Sequence, residues 1–185
     1  MVDEIITEAE NQMKKSIEAL KLQMQNIRTG RAAPGLIEKL QVEYYGVNTP
    51  LQQLASITAQ EARLLVVQPF DKGAFGAIEK AIQKSELGLN PSNDGKVIRV
   101  PFPPLTEDRR KDLVKVAKNK IEEGKVSIRN IRRAHNDDLK EMLKEKMIGE
   151  DDEKRGQDKI EQLTTRYIHE VEEIGHHKEK EILEV

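Results

Sequence analysis

The sequence contains no cysteine and no tryptophan, and only three tyrosines and three phenylalanines among 185 residues. Without cysteine there is no disulfide framework, no thiolate nucleophile and no cysteine-ligated metal, a composition that suits a reducing compartment. No run of about 18 apolar residues exists to cross a membrane. The N-terminus opens acidic, at Asp3 and Glu4, where a leader would be basic and then apolar. From these absences the chain is expected to be cytoplasmic, full-length and unprocessed. Catalytic signals are missing as well. Ser16, Ser56, Ser85, Ser92 and Ser127 lack a Gly-x-Ser-x-Gly setting. Gly30 and Gly35 have the spacing of a phosphate loop, but Leu36 and Ile37 stand where it needs Lys and Ser or Thr. His169, Glu173 and His176 share a helix face and are weighed as metal ligands, yet in a Glu-rich helix a solvated polar face explains them. Asp151, Asp152 and Glu153 open a helix, where its dipole favours anions. Gly73-Ala-Phe-Gly76 resembles the clamp of single-strand RNA binders in spacing alone and reads better as a turn before a helix. The expectation is a protein that is no enzyme, with no metal and no cofactor.

What the sequence does have is charge, at 35% of residues, and helical periodicity. From Leu105 to Met147 there is no proline, and Leu113, Ala117, Ile121, Gly124, Ile128, Ile131, His135, Leu139 and Met142 recur in steps of three and four. Such spacing lays one apolar stripe along a helix, here about 60 Å long at ~1.5 Å per residue, so an elongated arrangement is expected. Lys111, Lys115, Lys118, Lys125, Arg129 and Arg132 make a second, basic stripe beside it. An N-terminal helix is expected from Val2 to Arg28, with Ile6, Ala9, Met13, Ile17, Leu20, Met24 and Ile27 averaging a coiled-coil repeat. A third helix follows Gly149 and carries Ile160, Leu163, Tyr167, Val171, Ile174, Lys178 and Ile182.

Between the first two helices the period changes. Leu40, Val42 and Tyr44 alternate with polar residues as a half-buried strand, Gly46 to Pro50 turns the chain, and Leu51 to Thr58 reads as a weak strand. Residues 63–68 and 97–100 are apolar strand runs, and Phe75, Ile78 and Ile82 mark a short helix. The economical arrangement is α+β: a three-helix bundle with an inserted α+β unit. Two connections then join them, through Thr29, Gly30 and Arg31 and through Pro101, Pro103, Pro104 and Leu105. Glycine in one and proline in the other suggest a hinge of limited freedom.

Charge is unevenly spread. Residues 105–148 carry 13 basic and 9 acidic residues, whereas 149–185 carry 6 basic and 12 acidic. Two readings stand: the basic stripe meets a polyanion, or the two helices attract each other as neighbours. Arg129, Arg132 and Arg133, at i, i+3 and i+4, cluster guanidinium donors suited to phosphates or base edges. With so few aromatics, docking on structured RNA by shape and phosphate contacts is favoured over base stacking.

At these residues the chain closely resembles the bacterial ribosome recycling factors. The resemblance is carried by Ile27-Arg-Thr-Gly-Arg-Ala32, Val42-Glu-Tyr-Tyr-Gly46, Leu87-Gly-Leu-Asn-Pro91, the sixteen residues from Ile98 to Leu113, and Ile128-Arg-Asn-Ile-Arg-Arg133, in the family's order across the whole chain. It implies an L-shaped molecule: an elongated antiparallel three-helix bundle, residues 1–30 and 105–185, with a small inserted α/β domain, three-layer β/α/β-like, over 31–104. It implies a non-enzymatic, monomeric factor that binds post-termination ribosomes and contacts the large subunit and its rRNA. With elongation factor G and GTP it would split the ribosome into subunits. Carried over to this sequence, Arg132 is the foremost rRNA contact, with Arg129 and Arg133 beside it and Arg28, Arg31, Arg109 and Arg110 extending the footprint; Arg31 lies in the hinge stretch and has a structural role open to it. Phe102 departs from the family's usual aliphatic residue, and Ala134 and His135 from an acidic and a small one. A non-enzymatic helical adaptor for protein partners is the alternative.

Overall fold

A computed structural model describes residues 1–184. The chain divides into two compact units: Met1–Ile27 with Lys111–Lys180, and Arg28–Arg110 with residues 181–184.

The first unit is built on three helices, α1 (Val2–Gln25), α4 (Glu107–Lys144) and α5 (Glu150–Leu183). Their apolar stripes face inward as the spacing predicts. Ala9, Met13, Ile17, Leu20 and Met24 of α1 are buried with Ala117, Ile121, Ile128 and Leu139 of α4 and Ile160, Tyr167 and Val171 of α5. Gly124 marks the point where all three meet, because a Cβ there would touch Leu20 on α1 and Val171 on α5. Two glycines of α5 permit the closest approaches. A Cβ on Gly175 would stand 2.8 Å from Ile121 Cγ1, and one on Gly156 would stand 2.9 Å from Leu139 Cδ1. Polar contacts also join the helices. Ser16 Oγ lies 2.8 Å from Ser127 Oγ between α1 and α4, and the Tyr167 hydroxyl donates to Glu10 at 2.9 Å between α5 and α1.

Helix ends differ from the sequence expectation where local chemistry intervenes. Helix α1 stops at Gln25, short of Arg28, with Asn26 as its cap and the Ile27 amide turned back onto Met24 O. Thr106 caps α4, its Oγ1 accepting from the Arg109 amide at 3.1 Å. At the other end the break comes before Gly149. Lys146 takes φ of +60°, its amide bonds Leu143 O, and the Met147 amide reaches back to Met142 O. That is a Schellman closure with lysine in the left-handed position usually given to glycine.

The second unit holds six strands: β1 (Gln41–Tyr44), β2 (Val47–Pro50), β3 (Ala55–Glu61), β4 (Leu64–Pro69), β5 (Ser92–Asn93) and β6 (Ile98–Pro101). Its two helices are the single turn α2 (Leu51–Leu54) and α3 (Phe75–Lys84). Strands β1 and β2 pair alone, and the other four form an antiparallel sheet in the order β3-β4-β6-β5. Two sequence expectations are corrected here. The segment 47–50 is a strand, since Tyr45 and Gly46 alone make the hairpin turn with φ of +48° and +79°. Residues 51–54 are helical, so the strand read from Leu51 begins only at Ala55. Ile78 and Ile82 of α3 share one buried cluster with Val42 of β1, Leu65 and Val67 of β4, and Ile98 and Val100 of β6. Gly73 does lead into a helix: a 3-10 turn, Lys72–Ala74, is capped by Asp71, whose carboxylate accepts from the Gly73 amide at 2.9 Å. The Tyr44 hydroxyl donates to the other Asp71 oxygen at 2.6 Å, which pushes the phenol up to about 12 and holds Asp71 below its ordinary value.

Asp94 organises the turn into β6. Its carboxylate accepts from the Lys96 and Val97 amides, each at 2.9 Å, and pairs with Arg99. The Val97 and Lys96 amides, then the Arg99 guanidinium, hold it far below the usual carboxylate range.

Two outcomes are expected. Gly175→Val, which crowds Ile121, lowers unfolding free energy by about 1–3 kcal/mol, while Gly76→Ala on the open side of α3, where a Cβ meets nothing, raises it by about 0.5 kcal/mol; denaturant titration measures both. Because Asp94 is depressed in the folded state, its stabilisation is complete above the unfolded value and lost as pH falls. The stability advantage over Asp94→Asn is therefore full at neutral pH and shrinks as the solution is acidified below about pH 4, as thermal melts across pH will read.

Candidate nucleic-acid interface

The basic stripe on α4 follows from a spacing one position out of phase with the apolar one, so burying Ile121, Ile128 and Leu139 leaves Lys118, Lys125, Arg129 and Arg132 along the flank of the helix. The structure separates this stripe into two edges. On the edge toward α5, Lys118 Nζ lies 3.9 Å from Glu179, Lys125 Nζ 3.3 Å from Glu172, and Arg132 Nη1 3.4 Å from Glu161. Lys125 also meets Glu122 at 3.4 Å on its own helix. The outer edge is formed by Lys115, Arg129 and Arg133. Among the described residues Lys115 and Arg129 have no ion pair, and Arg133 makes only a hydrogen bond to Asn130 Oδ1 at 3.3 Å. The reading in which the two helices attract each other as neighbours describes the edge toward α5, while the outer edge is left with its charge unpaired among the described residues.

The three clustered arginines are brought together as expected, but they are not equivalent. Arg132 has a side chain only 27% exposed and is partnered by Glu161. Arg133 is exposed, and Arg129 is half-buried. The glutamates 161, 172 and 179 were not singled out from the sequence. Their signal was present as the seven-residue step from 172 to 179, matching that from 118 to 125 in an antiparallel neighbour.

The remaining arginines lie in the second unit. Arg31 and Arg110 line one cleft with Arg63, Pro104 and Leu105. Arg109 is exposed near the start of α4. Arg28 is engaged internally: its Nη2 donates to the Pro103 carbonyl and its guanidinium stands over the Phe102 ring, 5.6 Å from the centroid. Burial, then the neighbouring Arg109 charge, push Arg28 below its ordinary value. Both expected hinge stretches are tied to the turn after β3, through the Ala32 amide to Ala62 O and the Phe102 amide to Arg63 O, each at 2.7 Å. Among the described residues no group of three His, Asp or Glu side chains is placed to hold a metal, and His169 Nε2 lies 3.0 Å from Glu173. No helix among them is long and apolar enough to cross a membrane.

A protein-family model described as "Ribosome recycling factor" matches residues 20–183. The chain belongs to the ribosome recycling factor family. Over all 185 residues, and the full length of each relative, it is 57% identical to the ribosome-recycling factor of Thermomicrobium roseum and 55% to that of Carboxydothermus hydrogenoformans. Among solved structures it is similar to a solution structure of the ribosome recycling factor, at 42% identity and a TM-score of 0.81, with all of this chain and 98% of that one covered. It is also similar to the T. thermophilus ribosome recycling factor, described together with E. coli elongation factor G bound to the E. coli post-termination complex. There the identity is 47% and the TM-score 0.68, with both chains fully covered. The family is one of non-enzymatic translation factors. Two of the residues read from the resemblance as departures have structural places. Phe102, 2% exposed, forms the face under Arg28, and His135, 5% exposed, donates from Nδ1 to Ile131 O at 2.8 Å within α4.

Since Arg28 holds Pro103 and Phe102, Arg28→Gln is expected to cost about 1 kcal/mol of stability. Arg31→Gln, at an exposed guanidinium without a described partner, leaves the melting curve within experimental error.

Proposed function

We propose that this chain is the cytoplasmic recycling factor of its cell, binding the large subunit of the post-termination ribosome and acting with elongation factor G and GTP to separate the subunits. The observation that carries this reading is identity above half with ribosome-recycling factors along the full length of both chains. The T. thermophilus factor, described with elongation factor G on the post-termination complex, supports the choice of partners. The cationic flank of α4 supplies the chemistry. Guanidinium groups on one helix face neutralise RNA phosphates and release their counterions, a gain that needs no base sequence.

In this reading Arg129, Arg132 and Arg133 form the centre of the rRNA contact, with Arg109, Arg110, Arg31 and Arg28 around it. Arg28 would contribute mainly by fixing the backbone at Pro103. The bundle is residues 1–30 and 105–185 and the inserted domain 31–104, with Thr29 to Arg31 and Pro101 to Leu105 as the hinge that responds to the motor. The factor works as a monomer. Acidic α5, beside the stripe, disfavours indiscriminate binding to polyanions.

The test is light scattering of post-termination ribosomes mixed with this chain, elongation factor G and GTP, each omitted in turn. A fall that needs all three is expected; splitting without one of them, or none at all with intact large-subunit binding, rejects this coupling. Arg132→Glu is expected to weaken binding to large subunits at least tenfold and to flatten its salt dependence by about one phosphate contact; sedimentation across a salt series will show it.

A further inference from the structure

The pairing of α4 with α5 has a defect at Arg132. Lys118–Glu179 and Lys125–Glu172 step by seven residues in opposite directions along the two helices, so both pairs belong to one antiparallel register. Seven residues beyond Lys125 is Arg132, and seven before Glu172 is Thr165, which has no charge to offer. The carboxylate that reaches Arg132 comes instead from Glu161, one helical turn further along α5. It makes a single contact at 3.4 Å to one nitrogen of a guanidinium that has five N–H donors, and its own side chain is 60% exposed. The stripe is therefore held where the register is kept and loosely held at the residue assigned to RNA.

The geometry points to Glu161 as an internal substitute for phosphate. It occupies one donor of Arg132 in the free protein and is displaced when an RNA phosphate takes the guanidinium. This inference rests on the reading of Arg132 as an rRNA contact. A forked guanidinium satisfied at one donor by an exposed carboxylate exchanges that partner at little cost, because exposed ion pairs contribute little and are screened by salt. A phosphate offers two oxygens to the same fork and forms the stronger, bidentate pair. Glu161 thus orients the arginine and sets a threshold: an anion that cannot engage the fork in two places gains nothing over the partner it displaces. Lys118 and Lys125, kept in register, are the residues that stay with α5 during docking.

The experiment measures binding of the full chain to purified large ribosomal subunits across a salt series, for the unaltered protein, Glu161→Gln, Arg132→Gln and the double variant. Glu161→Gln is expected to bind about two- to fivefold more tightly at low salt, with the advantage shrinking as salt rises and screens the internal pair. In the Arg132→Gln background the same change should give no gain. Melting temperature should not move, since Glu161 is exposed. If Arg132→Gln weakens binding but Glu161→Gln leaves it unchanged or weakens it, the displaced-partner role is overturned while Arg132 keeps its RNA contact. If Glu161→Gln gains equally in the Arg132→Gln background, the effect is one of overall charge and the role is again overturned. If Arg132→Gln leaves both affinity and salt slope unchanged, the assignment of Arg132 to RNA fails, and this inference with it.

Discussion

The contact on which the bundle depends is Ile121 against Gly175. No Cβ fits between them, so α5 lies against Ile121 of α4 with no room for a larger residue, and this contact limits how the two helices slide past each other. Lys118 with Glu179 and Lys125 with Glu172 flank Ile121 on Gly175, within one residue of the same antiparallel register. Dispersion at a glycine thus decides which charges meet a helix turn away. The ion pairs sit at the edge of the packing and, being partly solvated, contribute little by themselves. The same logic recurs at Gly156 against Leu139, near the other end of the helix pair.

Once that register is set, one stripe of basic residues acquires two roles. The edge toward α5 is neutralised, while the outer edge with Arg129 and Arg133 keeps its charge, as the proposed RNA contact requires. A chain with a net charge of −2 can then present a locally cationic edge without being basic overall. Arg132, on the edge toward α5, is partly shielded and weakly paired, which suits the exchange of partners proposed for it.

The second unit is organised by polar turns more than by helix packing. Asp71 ties Tyr44 of β1 to the turn before α3, Asp94 closes the turn into β6, and Arg28 joins the chain leaving α1 to Pro103. Each uses one side chain to satisfy backbone groups that would otherwise face water or go unpaired. Phe102 belongs to this set. An aromatic ring under Arg28 gives the guanidinium a face to stand on, which an aliphatic side chain does not offer.

Much of this was legible from residue order alone. The three helix stripes were, because burial of a helix face demands a period near 3.6, and that period is written in Ile121, Ile128, Leu139 and their counterparts. The cap at Thr106, the strands around Val42, Leu65 and Ile98, and the clustering of Arg129, Arg132 and Arg133 were readable for the same local reason. The end of α4 was not, since Lys146 adopts a left-handed conformation that its side chain disfavours and that Gly149 appeared better placed to supply. Nor was the strand at 47–50, where pairing with β1 prevailed over the turn signals of Gly46 and Pro50. The sequence by itself determined the long helices, most of the strands, the excess of charge on each helix and the family. Only the tertiary structure decided which glutamate faces which lysine or arginine. Periodicity assigns a residue to a face of its own helix, but the sliding of one helix along another depends on how Ile121 fits over Gly175, and that fit exists only when both are folded.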